Sequence, residues 1–359
     1  MRARIVGIDA ARTVALAGMF ATHLLPLNAP DGSPTLTGLL ADGRASALFA
    51  VLAGIGLALS TGGPRPPADV REHAAAAAGL ALRGILIALV GLLLGGLHPP
   101  VAVILAYYGL LFLAATPVLR LRAPTLAVGA VAACALTPVL SQLLRAGLPP
   151  GPGEQPGPGA LADPFDLLVT LGLTGYYPAL TWTTYLLAGM AVGRLDLRRT
   201  DVAGWLLGGG AALAVAAALT SSALLSAAPI SAADLGERRY GTTPTETWWW
   251  LAVDLPHSGT PLDLAGTTGS ALAVLGLMLL LARWATPLLW LPAATGAIPL
   301  TAYTLHVLAL AAAPDVGVAG WVVHVLVVAA LGAVARLTGR RGPLEALVAA
   351  PVQLTRRAA

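Results

Sequence analysis

An all-α, polytopic integral membrane bundle of about ten transmembrane helices is the fold class this sequence predicts, and three observations predict it. The chain is 57% hydrophobic and only 11% charged. Its apolar runs reach roughly 18 residues or more, the length that crosses a hydrocarbon core about 30 Å thick. Its charges cluster between those runs, in connections punctuated by Gly, Pro and Arg.

Taken in order, spans are expected near 5–25, 45–61, 79–97, 100–119, 123–145, 177–194, 202–227, 265–284, 292–312 and 317–337. The first run, IVGIDAARTVALAGMFATHLL, reads as a membrane helix and not as a signal peptide. It carries charge within it and has no A-x-A-like site after its apolar part. Between the fifth and sixth spans lies the Pro/Gly-rich segment GLPPGPGEQPGPGALADP. FDLLVTLGLTG follows it, too short to cross and expected as a re-entrant or interfacial helix. GGPRPPADVREH reads as a linker between the second and third spans. Residues 1–337 thus form one transmembrane domain, and residues 338–359 an amphipathic tail expected on the inner leaflet.

All 21 basic residues are arginine, so the positive-inside rule can be followed through one residue type. Arg2 and Arg4 precede the first span. Alternate connections contain Arg65 and Arg71, Arg120 and Arg122, Arg194, Arg198 and Arg199, Arg283, and Arg336, Arg340 and Arg341; these are expected in the cytoplasm. The other connections carry Asp31 and Asp42, Glu154, Asp163 and Asp166, a mixed set from Asp234 to Asp263, and Asp315; these are expected outside. Arg44, Arg145, Arg238 and Arg239 are exceptions on that side. An even number of spans puts both termini in the cytoplasm. The pI near 9.6 therefore reflects topology, and nucleic acid is not implied. Cys134 stands alone in an apolar span and reads as a small hydrophobe. No P-loop, H-E-x-x-H or cysteine metal pattern occurs.

The strongest functional signal is in the first span. Arg12 and His23 are eleven residues apart, which returns to within about 20° on a helix and separates them by about 16 Å. Asp9, three residues before Arg12, lies near the same face and can pair with it. Each residue has an ordinary reading: His23 bonded to a neighbouring helix, Arg12 snorkelling to lipid phosphate, Asp9 capping the helix. A helix starting near Ile5 spans the bilayer better than one starting at Ala10, however. That places Asp9 and Arg12 inside the bundle, where ionisable residues are functional candidates.

Three further clusters share the outward third, and a fourth lies in the ninth span. Asp42 and Arg44 open the second span, as an anion-binding guanidinium or as a mere surface pair. The segment PHSG brings His257 and Ser258 after Asp254 and before GTTGS, with His257 a candidate second acid or base, or an ordinary loop histidine. Trp182, Thr183, Thr184 and Tyr185 form a polar and aromatic patch on the sixth span. Thr301, Tyr303 and His306 form another on the ninth, where interhelical hydrogen bonding is the favoured reading. His324, isolated in VVHVL, reads as structural, and His73 and His98 as loop residues. Trp248, Trp249 and Trp250 are expected as an interfacial aromatic belt or, alternatively, as a stacking surface. Ala47, Ala50, Ala53, Gly54 and Gly56 suit close helix packing.

GIDAARTVALAGMFATHLL, GRASALFAVLAGIGLALSTGG, YYPALTWTTYLLAGMAVGRLDL, PHSGTPLDLAGTTGSALAVLGL and AIPLTAYTLHVLAL together resemble bacterial members of the heparan-alpha-glucosaminide N-acetyltransferase catalytic-domain family. The Arg-ten residues-His arrangement is also similar to the third family of membrane acyltransferases. There the matching arginine and histidine are treated as functional. Thr13 stands where a glycine usually follows the arginine. A family histidine of the next loop has no counterpart among Asn28, Asp31 and Ser33, which leaves His23 as the available imidazole.

The resemblance implies a multi-pass acyltransferase of the cell membrane that moves an acyl group, acetyl first of all, from cytoplasmic acyl-CoA to a hydroxyl or amine of an extracytoplasmic glycan or lipid. His23 acts as general base, with a transient acyl carrier as the alternative. Arg12, held by Asp9, positions the donor. Arg44 and His257 orient the acceptor or stabilise the oxyanion, and Asp42, Ser258, Trp182, Tyr185, Tyr303 and His306 complete the expected substrate site. Acyl-CoA is the only co-substrate expected, with no metal. Membrane lipid, the acceptor and a second copy of the chain are the expected partners. The rival classes are a small-solute or lipid transporter and a non-enzymatic scaffold.

Overall fold

The computed structural model describes residues 4–148, 153–230, 240–313 and 317–349. Arg2, Asp234, Arg238, Arg239 and Asp315 of the charge pattern lie outside the described residues, as does the tail beyond residue 349. Among the described residues the chain is all helical, and its only β pairing is an isolated bridge between Asn28 and Pro34.

The helices, in chain order, are α1 (Val6–Leu24), the short α2 (Leu36–Leu40), α3 (Arg44–Ser60), α4 (Val70–Gly95), α5 (Leu105–Ala114), α6 (Ala123–Leu144), α7 (Pro164–Val169), α8 (Ala179–Gly193), α9 (Thr200–Leu225), α10 (Pro261–Trp284), the short α11 (Trp290–Thr295), α12 (Pro299–Ala312) and α13 (Val318–Leu337). Local chemistry sets their ends. Pro26 stops α1 by forcing Leu25 into an extended conformation. Asp69 accepts from Glu72 N (2.8 Å) while Glu72 Oε2 accepts from Ala68 N (2.9 Å), a reciprocal cap that starts α4 nine residues before the expected span. Thr260 and Asp263 cap α10 in a similar way, with Pro261 at its first position, where no amide hydrogen is needed.

Six of the expected spans contain a helical segment long and apolar enough to cross a membrane: Leu36–Ser60, which takes in α2 and α3, Val70–Gly95, Ala123–Leu144, Thr200–Leu225, Pro261–Trp284 and Val318–Leu337. The other four are helical but differ in character. α1 has the length, with Asp9, Arg12 and His23 lowering its apolarity. α5, α8 and α12 are short because prolines bracket or begin them, at Pro100 and Pro117, Pro178 and Pro299. The FDLLVTLGLTG segment forms α7 and a π turn over Thr170–Thr174, with Phe165 and Leu168 exposed.

Burial separates the helices into a centre and a shell. α3 is buried along most of its length and packs against α1, α8 and α10. α6, α9 and α13 instead turn large apolar side chains outward, among them Val128, Val131, Trp205, Leu219, Val323 and Leu326. An apolar outer surface around a polar-containing centre suits a bundle whose solvent is lipid. The small-residue stripe of α3 brings it close to α8: a Cβ added at Gly189 meets the Val51 carbonyl oxygen at 2.0 Å, and one at Gly54 meets that of Leu186 at 2.3 Å.

The expected outer loop is tied down where it is described. Arg145, just past α6, donates to Thr243 O (2.6 Å) and Ser141 Oγ (3.1 Å), which explains an arginine placed against the charge bias. Ser221 at the end of α9 donates to Ala252 O (2.7 Å). Trp250 is buried there and Trp248 half-exposed. At the other end of the bundle residues 343–349 are helical and dock onto it. Glu345 accepts from Leu300 N (2.7 Å), Thr301 N (3.1 Å) and Thr301 Oγ1 (2.6 Å), capping α12.

A valine at Gly189 forces α3 and α8 apart, and overpacking of this kind costs about 1–3 kcal/mol. We expect Gly189→Val to lower the melting temperature in detergent clearly. Alanine at Gly204, where an added Cβ meets nothing within 4 Å, should leave it unchanged.

Candidate functional site

α1 carries two polar stations, one near each end. Near its amino terminus Asp9 is only 4% exposed. Its carboxylate accepts from Arg12 Nη1 (2.7 Å), Arg4 Nε (2.9 Å) and Arg4 Nη2 (3.2 Å), so two guanidinium groups share one buried anion. The expected Asp9–Arg12 pair is present, and Arg4 joins it. A cavity of about 240 Å³ opens beside the pair, lined by Arg4, Arg12 and Arg83 together with Phe49, Tyr108, Phe112 and Glu345. Arg83 lies 5.6 Å over the Phe112 ring. Among the described residues the buried Tyr108 hydroxyl has no hydrogen-bond partner. Three arginines and this hydroxyl thus border the cavity, beside the carboxylate of Glu345.

At the carboxyl end of α1, His23 faces a cavity of about 30 Å³, room for one water. Thr22, Gly43, Ser46, Tyr177, His257 and Tyr303 complete its walls. Its neighbours continue towards the arginine cavity: Ile104 lines one and Leu105 the other, as do Tyr303 and, one turn earlier, Leu300. The Tyr303 hydroxyl accepts from Ile104 N (3.3 Å) and donates to Ala102 O (3.4 Å), which fixes its ring in the wall.

A third cavity, about 460 Å³, adjoins the small one across His257, which lines both. Asn28, Asp42, Arg44, Tyr240, Asp254, Asp263 and Thr267 are among its other walls. His257 Nε2 lies 3.9 Å from Asp42 Oδ1. Arg44 Nη1 donates to Leu39 O (2.7 Å). The His257 backbone has φ of 62°, a left-handed conformation rare outside glycine, and it is held there by Gly241 N donating to its carbonyl (2.8 Å). Gly43, with φ of 68°, makes room for it, since a Cβ there meets Pro256 at 3.1 Å.

The structure thus distributes the residues expected from sequence. His23, Tyr303 and His257 meet at the small cavity, Asp42 and Arg44 at the large one, and Arg12 with Asp9 at the arginine cavity. Ser258, Trp182 and Tyr185 line none of the three. Ser258 Oγ pairs with Thr260 Oγ1 (3.3 Å). Trp182 packs edge-on between Tyr177 and Tyr185, and the Tyr185 hydroxyl bonds Thr267 Oγ1 (2.7 Å). They buttress the walls from behind.

His306 is 2% exposed and reaches none of the cavities; its Nε2 lies 2.9 Å from His23 Nδ1, and its Nδ1 lies 2.6 Å from His324 Nδ1. The interhelical hydrogen bonding expected of His306 is present, and the supposedly isolated His324 is part of it. Arg83 lines the arginine cavity, and sequence reasoning missed it. It sits inside the expected third span, and the criterion applied to Arg12, a charge within an apolar run, marks it equally.

The family model described as heparan-alpha-glucosaminide N-acetyltransferase, catalytic, matches residues 4–225, more than half of the chain. The matched part carries Asp9, Arg12, His23, Asp42, Arg44 and Arg83; His257, Tyr303, His306 and His324 lie beyond it. No curated protein and no solved structure gives a significant match.

Removing the shared anion leaves two guanidinium groups facing each other. We expect Asp9→Asn to cost about 1–3 kcal/mol, less than a fully buried pair because Arg4 is half exposed. Adding Arg4→Gln should recover part of that loss, as read from melting in detergent.

Proposed function

Since the chain belongs to the heparan-alpha-glucosaminide N-acetyltransferase catalytic family, we propose that it transfers an acyl group, acetyl first of all, from acyl-CoA to a hydroxyl or amine of a glycan or lipid. Donor and acceptor enter from opposite ends of α1. The observation that carries this reading is two cavities along that helix, one lined by cations near its amino end and one lined by His23 near its carboxyl end, with a third, carboxylate-lined cavity joined to the second across His257.

The arginine cavity suits the donor. Arg12 and Arg83 offer charge-assisted hydrogen bonds to phosphate, and Phe49, Tyr108 and Phe112 offer an apolar wall for the pantetheine arm. The charge bias of the connections puts this end in the cytoplasm, where acyl-CoA is made, and both termini with it. The large cavity takes the acceptor at the outer face of the cell membrane. There Asp42, Asp254 and Asp263 accept hydrogen bonds from hydroxyls or an amine.

His23 takes a proton from the acceptor on Nε2, as its oxygen or nitrogen attacks the thioester carbonyl carbon. The tetrahedral intermediate collapses with cleavage of the carbon–sulfur bond, and the thiolate leaves. The same proton passes from Nε2 to the thiolate, giving free CoA thiol and the acylated acceptor. His257, backed by Asp42, orients the acceptor at the junction of the two outer cavities.

His23→Ala should lower acyl transfer by about 10²–10⁴-fold, the usual contribution of a general base, with melting behaviour preserved. Arg83→Gln should raise KM for acyl-CoA about tenfold or more with kcat little changed, as expected for binding felt equally in ground and transition states. The assay is release of CoA thiol together with mass spectrometry of envelope glycans and lipids. Full transfer by His23→Ala, or solute uptake into proteoliposomes without CoA release, would overturn the reading.

A further inference from the structure

We propose that His306 and His324 act with His23 as one proton-sharing file of three imidazoles, which keeps Nε2 of His23 available as a base and spreads the charge it acquires. The inference rests on the acyl transfer proposed above for its role, and on geometry alone for its existence.

The three rings come from three helices, α1, α12 and α13. His23 and His306 have nearly parallel rings, 15° apart, with centroids 5.2 Å apart and a nitrogen contact of 2.9 Å. That combination is edge-to-edge contact within nearly one plane, since the centroid separation matches the nitrogen contact plus the two ring radii laid in line. His306 and His324 are also in line, with centroids 4.7 Å apart for a 2.6 Å contact, and their planes cross at 81°. A twist about the contact axis leaves the hydrogen bond intact. Phe20 stacks on His306 at 4.0 Å and fixes its plane. Trp321, one turn before His324, donates to Ala17 O (3.0 Å) and pins α13 to α1.

A nitrogen–nitrogen hydrogen bond needs one N–H and one lone pair. Each of the two contacts therefore holds a single proton, and the two outer nitrogens, Nε2 of His23 and Nε2 of His324, decide the state of the file. In the uncharged file one of them carries a proton and the other a lone pair. The tautomer of His23 is thereby locked to that of His324, through His306. With the lone pair on His23 Nε2, His23 Nδ1–H donates to His306, and His306 Nδ1–H donates to His324.

When the acceptor gives its proton to His23 Nε2, the file becomes singly charged. The His23 Nδ1 proton shifts to His306 Nε2, and the His306 Nδ1 proton shifts to His324 Nδ1. The positive charge so moves from His23 to His324 without any ring holding two new protons. Loss of the Nε2 proton to the thiolate reverses both shifts. A lone imidazolium in an apolar bundle is costly, and sharing it over three rings lowers that cost at the moment the base needs it. His306 and His324 are positioning residues in this scheme, since neither touches the reacting atoms.

The test uses the full chain in detergent with ¹⁵N-labelled histidine, of which it has six residues. His23→Ala assigns the His23 resonances. His324→Phe, which keeps a ring but removes the nitrogen, should change the protonation pattern of the His23 Nδ1 and Nε2 signals, and His306→Gln should do the same. Unchanged His23 signals in both variants would overturn the file. In the acyl-transfer assay, His324→Phe should lower kcat about tenfold at unaltered KM. It should also turn a curved dependence of kcat on solvent deuterium fraction into a straight one. An unaltered kcat and isotope dependence would overturn the catalytic role. Coupled His23 signals in a chain that releases no CoA would leave the file standing and remove the acyl-transfer reading. Active transfer with uncoupled signals would do the reverse.

Discussion

The buried carboxylate of Asp9, shared by Arg4 and Arg12, is the interaction on which the rest of the molecule depends. An apolar bundle tolerates a guanidinium only when it is paired, and Arg12 is placed inside the bundle because Asp9 lies three residues before it on the same helix face. With that charge neutralised, α1 can run through the centre against α3, α10 and α11. It brings His23 to the far end of the same face, with two of the three cavities along it and the third reached across His257.

The two ends of this axis are built on different physical terms. The arginine end is electrostatic: three cations, one carboxylate at the rim and an aromatic wall, closed by the docked turns at 343–349 whose Glu345 caps α12. The histidine end is steric and strained. His257 is held in a left-handed backbone conformation and admitted by the missing side chain of Gly43, so the residue that joins two cavities sits where the chain is least free to relax. Strain of order 1–3 kcal/mol at one residue persists only when its surroundings overdetermine it. Here Gly241, Asp42, Tyr177 and Tyr240 surround the ring and backbone of His257.

Much of the fold was legible because it is written in local terms. Apolar runs, prolines and caps located a helix at every expected span, and six of these have the length and apolarity to cross a membrane. The α4 boundary was misplaced because the Asp69–Glu72 cap draws an alanine-rich stretch into the helix that hydropathy alone leaves outside. The site was legible in part. Arg12, Asp9 and His23 are on one helix, so their relation follows from helical period. Ser258, Trp182 and Tyr185 carried the right chemistry at the right depth but stand behind the cavity walls, and depth says nothing about facing. His324 was unreadable as a partner because its meaning lies on another helix.

By itself, the sequence determined that this is an all-helical membrane protein of a known acyltransferase family, with an ionisable stripe on its first helix. Composition, run length and a period of 3.6 residues are properties of the chain and need no neighbours. Only the tertiary structure decided what that stripe meets. The hydrogen bond between His23 and His306 joins residues 283 positions apart, and Arg83 reaches the Arg12 cavity from α4. Such contacts depend on which helices are adjacent and how each is rotated about its own axis. That is settled by close packing of small residues such as Gly54 and Gly189, in three dimensions and not along the chain.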